Sequence, residues 1–252
     1  MMKFSVLTIF PDLLESPLRE GIIRKAQREG KISIEITDIR QFATDKHATT
    51  DDRPFGGGEG MVMKPEPLAR ALDSVKDRAP GGRTILLSPQ GRTLDQKLVM
   101  ELQKESHLIL VCGRYEAVDE RFAQYGVDDE ISVGDYILSG GELGAMIIID
   151  AVTRVCPEVL GCSGSYLNDT FSNGLLKHPQ YTRPRNFSGH EVPDVLLEGD
   201  HQKIKEYRFI SAVTQTLKKR PDLIVTKDFN STESLLLERA GLLEQVNQLK
   251  RR

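Results

Sequence analysis

Apolar runs bounded by turn residues recur along the first part of the chain, at residues 4–9, 32–36, 84–87, 108–111 and 131–133. They are short and nearly unbroken, which is the pattern of strands buried on both faces. Between them, hydrophobic positions fall at helical spacing, as in Leu68, Leu72 and Val75, and again in Leu94, Leu98 and Leu102. A longer helix is predicted over residues 141–155, stopped by Pro157, because proline lacks a backbone donor and disfavours a helical residue before it. Short strands alternating with helices predict an α/β fold with a mostly parallel sheet covered on both faces.

Past that helix the pattern changes. Residues 161–173 hold Gly, Ser, Asn, Asp and Thr with few core positions, the composition of a linker. Strand signals then fade, and residues 202–217 and 235–249 read as amphipathic helices. The chain is thus expected to carry a sheet domain at 1–160, a flexible interdomain linker at 161–175 and a smaller helical domain at 176–252.

Composition narrows this picture. With 252 residues, 39% hydrophobic and 28% charged, the chain can bury one large core or two modest ones. No apolar stretch approaches the ~20 residues of a membrane span. The first apolar run meets Pro11-Asp12 without a small-residue cleavage site, so no membrane and a cytoplasmic location are expected. Cys112, Cys156 and Cys162 form no CxxC, which speaks against a disulfide framework or zinc knuckle. The net charge of −3 conceals an asymmetry: residues 114–145 hold two basic and eight acidic groups, whereas residues 177–220 hold nine basic and five acidic. A basic stretch of that kind suits a polyanion, although each charge run by itself fits a solvated helix face.

Several common chemistries are excluded. There is no GxxxxGK[ST] and no GxSxG; the glycines at 56–60 fail GxGxxG because Met61 takes the sixth position; and His190-Glu191 is followed by Asp194 where a zinc protease has its second histidine. Five scattered histidines supply no metal cluster. A site must therefore come mainly from loop backbone. Three loops qualify: residues 86–91, 112–116 and 132–143, each following a predicted strand. In a parallel sheet they emerge at one carboxyl edge, where open α/β folds bind ligands, and their Gly and Ser residues let backbone approach a flat heterocycle.

At this point specific strings carry a family likeness: Thr8-Ile9-Phe10-Pro11, Arg53-Pro54-Phe55-Gly56-Gly57-Gly58, Gly60-Met61-Val62-Met63-Lys64-Pro65, Leu87-Ser88-Pro89-Gln90-Gly91, Cys112-Gly113-Arg114-Tyr115-Glu116, Gly134-Asp135-Tyr136 with Gly140-Gly141-Glu142-Leu143, and Tyr181-Thr182-Arg183-Pro184. Nearly end to end, the chain resembles the bacterial tRNA (guanine-N1)-methyltransferases, members of the SPOUT or trefoil-knot superfamily. Ala117 and Gly144 stand where Gly and Pro are expected, Thr170 where Ser is usual, and Tyr207 where Trp is typical; none is a group the resemblance assigns to catalysis.

The resemblance implies a deeply knotted sheet domain, a homodimer with active sites at the subunit interface, and transfer of methyl from S-adenosyl-L-methionine (SAM) to N1 of the tRNA guanine immediately 3′ of the anticodon. SAM would meet Leu87, Ser88, Pro89, Gly113, Val133, Gly134, Asp135, Tyr136, Ile137, Leu138, Gly140 and Gly141, with Tyr115 and Glu116 near its methionine end. Asp169 would be the general base that takes the N1 proton, and Arg154 would stabilise charge on the guanine. From the residues alone, Asp169 reads as a loop or cap residue and Arg154 as a solvated charge near a helix C-terminus. Arg183, Arg185, Lys203, Lys205 and Arg208 would track tRNA phosphates. The resemblance also implicates Mg²⁺, with Glu116 among the acidic groups, but no dedicated metal cage is visible. Another knotted methyltransferase acting on ribosomal RNA or a tRNA ribose, a non-enzymatic RNA-binding protein on the same scaffold, and a nucleotide-binding regulator, which the missing phosphate loop disfavours, are the competing readings.

Overall fold

In the computed structural model, which describes residues 1–160 and 169–251, every predicted apolar run of the first part lies in or against a strand of one sheet. The chain runs β1 (Met2–Thr8), α1 (Asp12–Leu18), α2 (Gly21–Arg28), β2 (Ile32–Asp38), β3 (Asp51–Asp52), β4 (Val62–Met63), α3 (Pro65–Arg78), β5 (Arg83–Thr93) and α4 (Gln96–Leu102). It continues through β6 (His107–Cys112), β7 (Ala117–Val118), α5 (Glu120–Gly126), β8 (Asp129–Ser132) and α6 (Glu142–Val155). The main sheet has the order β2-β1-β6-β5-β8, and each of its pairings is parallel. Parallel neighbours require crossover connections, which is why helices cover both faces. On one face Leu7, Leu86, Ile109 and Val111 pack with Leu68, Leu72 and Val75 of α3 and Phe122 of α5. On the other, α6 lies against β1 and β6 among α1, α2 and α4, burying Ile148, Ile149 and Val152.

One strand exceeds its expectation. Apolar patterning ends it at Leu87 and opens a helix near Thr93, whereas β5 runs on to Thr93 and α4 begins after Asp95. Leu87 and Arg92 both pair with Ile131 of β8, so residues 88–91 leave the sheet and return. Charge makes the return: Arg92 binds Asp129 at 2.6 Å and Glu101 at 3.1 Å, and Arg83 shares both carboxylates at 2.9 and 3.0 Å. The Asp95 carboxylate then accepts the Leu98 N–H at 2.7 Å and caps the helix.

The described residues divide into two compact units, Met1–Ser163 and Gly164–Arg252; residues 161–168, the first part of the expected linker, lie outside the described residues. The second unit contains a short hairpin, β9 (Asn186–Phe187) with β10 (His190–Glu191), followed by α7 (His201–Lys219), α8 (Pro221–Thr226), α9 (Ser231–Arg239) and α10 (Leu243–Lys250). The single helix predicted over 235–249 is two helices. Gly241 adopts φ +69°, with Leu242 N–H donating to Leu237 O and Gly241 N–H to Glu238 O, a left-handed C-terminal cap that helical periodicity does not reveal. Leu175, Val213, Ile224, Leu237 and Val246 form the core of this unit. Residues 169–175 belong to it: Leu175 is buried, the Thr170 hydroxyl accepts the Lys177 N–H at 3.2 Å, and the Phe171 ring lies 5.7 Å from the Arg220 guanidinium. Among the described residues, no helix is long and apolar enough to cross a membrane.

Candidate functional site

The carboxyl ends of β5, β6 and β8 open onto a cleft of about 440 Å³. Its wall includes Leu87, Ser88 and Pro89 from the β5 excursion, Gly113, Tyr115 and Glu116 after β6, and Val133, Gly134, Tyr136, Ile137, Leu138, Gly140 and Gly141 after β8. Asp135 is off this wall. Leu86, Gln90, Arg114 and Ser139, which lie within the three predicted loops, line it as well, whereas Val118, Glu120 and Ala123 on the wall lie outside those loops and were not expected there.

Close backbone approach builds the cleft. A Cβ on Gly141 would stand 2.7 Å from Cys112 Cα and 2.9 Å from Leu87 Cβ, so the chain entering α6 passes between the ends of β5 and β6 with no space for a side chain. The Gly141 N–H donates to Gly113 O at 2.9 Å, and Gly140 pairs with Arg114 as an antiparallel bridge. Gly134 sits at φ +144°, and the turn it starts is closed by the Tyr136 hydroxyl donating to Val133 O at 3.1 Å. Tyr115 holds φ +62°, a conformation that costs energy for a non-glycine residue and is concentrated at functional sites. Ile137 is 83% exposed on the wall; an uncovered apolar side chain in a concavity suits an apolar ligand face.

A charge pair beneath the cleft ties its loops together. Glu142, in the first turn of α6, is 1% exposed. It accepts the Thr8 hydroxyl at 2.7 Å and Arg114 Nε at 2.9 Å, and Arg114 also donates to Ser139 O at 3.1 Å. The guanidinium lies 4.6 Å from the centre of the Phe10 ring. An acidic group at a helix N-terminus is favoured by the helix dipole, and full pairing offsets its desolvation. This pair links residues 28 apart, so neither its existence nor its burial follows from local pattern; the two strings containing Arg114 and Glu142 were its only trace. Burial, reinforced by the Glu142 charge, pushes the Cys112 thiol well above its ordinary range, which leaves it inert as a nucleophile.

The remaining candidates lie elsewhere. Arg154 stands on the exposed stripe of α6, in line with Leu143, Ile147 and Asp150. Asp169, in the second unit, accepts Lys177 Nζ at 2.8 Å. Arg183, Arg185 and Arg208 line a separate cavity of about 430 Å³ in that unit, while Lys203 and Lys205 on α7 are off its wall. Lys203 is engaged by Glu198 at 3.5 Å and Asp200 at 3.9 Å. Among the described residues, no three His, Cys, Asp or Glu gather as a metal-holding group, so Glu116 has no donor set around it that fits a magnesium cage.

A family model described as tRNA (Guanine-1)-methyltransferase TrmD matches residues 2–226. The chain belongs to this family. A relative from Geobacillus kaustophilus, named tRNA (guanine-N(1)-)-methyltransferase, is 52% identical over 223 residues, covering 88% of this chain and 91% of its own. One of the same name from Thermosipho africanus is 49% identical over 249 residues, covering 99% and 100%. The tRNA (guanine-1)-methyltransferase match takes in the whole cleft and the second cavity; α9 and α10 follow it.

Proposed function

We propose that the protein transfers methyl from SAM to N1 of the tRNA guanine immediately 3′ of the anticodon, the sheet unit binding SAM and the helical unit binding tRNA in the cytoplasm. The observation that carries this reading is the loop-built cleft at the carboxyl edge of a parallel sheet in a chain of this family. The residues fit the cofactor: apolar side chains of Leu87, Ile137 and Leu138 suit the faces of an adenine, and backbone at Gly113, Gly140 and Gly141 is bare of side chains that would hold a ligand off. Bound SAM supplies a sulfonium-activated methyl whose leaving group departs neutral. Tyr115 and Glu116 border the methionine end in this reading.

Guanine N1 carries a proton and becomes a good nucleophile only as that proton leaves, so a base contributes about 10²–10⁴-fold. Asp169 takes this proton on its carboxylate, and Arg154 stabilises the negative charge that builds on O6. Lys177, now bonded to Asp169, yields the carboxylate to the substrate. The passage of Gly141 between the ends of β5 and β6 supports a knotted chain path. The exposed Leu143 and Ile147 on the stripe that also bears Arg154 support a homodimer with shared active sites. Labelled SAM and unmodified tRNA test the reading: nucleoside analysis should find 1-methylguanosine at that position, and methyl on ribose, or on ribosomal RNA only, would overturn it.

A further inference from the structure

The cavity of the helical unit has a composition of its own. Its wall carries Arg183, Arg185 and Arg208 and no carboxylate. These guanidiniums are not equivalent. Arg185 donates to Asp194 at 3.0 Å, so its charge already has a partner. Among the described residues, Arg183 and Arg208 have neither an ion pair nor a side-chain hydrogen bond. Two unanswered cations lining one concavity repel each other and favour an anion between them. Beside them, Tyr181 shows a half-exposed ring to the cavity. Val192, Leu196 and Leu197 add an apolar wall.

A free inorganic anion has no use for an aromatic plane and an aliphatic wall, and an apolar ligand has none for paired guanidiniums. A nucleotide uses both, because its base presents two flat faces and its phosphate a charge. We infer that this cavity takes one unstacked nucleotide of the tRNA substrate, with the base against Tyr181 and a flanking phosphate between Arg183 and Arg208. The inference rests on tRNA being the substrate. It adds a second point at which the RNA must leave its stack, apart from the target guanine, since the cavity and the cleft share no wall residue. Shape-based tracking of phosphates would not discriminate among loops; a seated base admits only RNAs whose loop can release one.

The test titrates unmodified tRNA into the full chain across a salt series, with SAM affinity and thermal melting measured on every variant. Arg183→Ala and Arg208→Ala should each weaken tRNA binding about tenfold or more and flatten the plot of log affinity against log salt by about 0.7. Tyr181→Ala should cost about tenfold at every salt concentration without changing that slope, while Tyr181→Phe, which keeps the ring, stays within about threefold of wild type. Ultraviolet irradiation of the wild-type complex should attach RNA to a peptide containing Tyr181, an outcome that requires no variant to fold. The inference is overturned if the doubly substituted Arg183→Ala, Arg208→Ala chain keeps wild-type affinity and slope, or if crosslinked peptides are recovered and none spans residues 178–185. A wild-type chain that binds no tRNA overturns the substrate reading, and this inference with it.

Discussion

Glu142 shows how much of the cleft depends on single side chains. Its carboxylate answers Thr8 at the end of β1 and Arg114 after β6, and Arg114 in turn holds the Ser139 carbonyl just before α6. Replacing it by glutamine keeps the shape and leaves the Arg114 guanidinium, 16% exposed, without its counter-charge. Breaking a buried pair on one side costs about 3 kcal/mol. Glu142→Gln should therefore lower the unfolding free energy by about that amount, read as a lower urea midpoint at unchanged slope, and weaken SAM binding because the loop before α6 loses its anchor. A loss below about 0.5 kcal/mol would make the pair a bystander. His107 gives a second expectation at this scale. It is buried on β6, with its ring 3.0 Å from the Ser5 hydroxyl, and burial, followed by the charge of Lys3, holds the imidazole below its ordinary value. The unfolded chain takes up a proton near pH 6.5 that the folded chain refuses. Its contribution is then complete above that pH and is lost as pH falls through the depressed folded value. Urea midpoints should decline from pH 7 toward pH 5 in the wild-type chain, and less steeply in His107→Gln; equal slopes would remove His107 as the cause.

At the scale of elements, Gly141 is the test of how the cleft is assembled. Even a methyl group there meets Cys112 Cα at 2.7 Å and Leu87 Cβ at 2.9 Å, and backbone on one side cannot give way as a flexible side chain would. Gly141→Ala should cost about 1–3 kcal/mol in stability from overpacking and reduce SAM affinity at least tenfold, both read in one set of melting curves with and without SAM. Wild-type SAM affinity in a folded Gly141→Ala chain would show that the two loops need not touch. Position 141 also marks what a single sequence discloses. The buried strands were legible because their apolar runs are nearly continuous, and the three loops because Gly and Ser cluster after them. The continuation of β5 to Thr93 was not legible, since its second half is held by Arg92, Asp129 and Glu101 rather than by apolar burial. Nor was the break between α9 and α10, where leucines keep helical spacing across Gly241. Arg114 was quoted within a motif but not singled out, because its partner Glu142 is brought to it by the tertiary fold alone.

The molecule as a whole sets an acidic sheet unit beside a basic helical segment in sequence, and the proposed reaction needs the cleft of one and the Asp169 of the other. The exposed apolar stripe on α6 carries Leu143 and Ile147 in line with Arg154, and covering that stripe with a second copy would bring a second Asp169 within the assembly. Shared sites make a prediction that one-chain catalysis does not. Asp169→Ala removes the proposed base without touching the cleft. Gly140→Trp obstructs the cleft, because a side chain at Gly140 runs into the Arg114 guanidinium stem, and it leaves residues 169–175 unaltered. Each homodimer should be inactive. In a mixed dimer one site combines both defects, whereas the other pairs an intact cleft from the Asp169→Ala chain with an intact Asp169 from the Gly140→Trp chain. Mixing should restore up to half of the wild-type activity per dimer, measured on heterodimers isolated through two different affinity tags. SAM binding to the Asp169→Ala homodimer and a cooperative melting transition for the Gly140→Trp homodimer, well above the assay temperature, secure the two parents. Heterodimers that pass both checks and still transfer no methyl would confine catalysis to a single chain and sink the shared-site model.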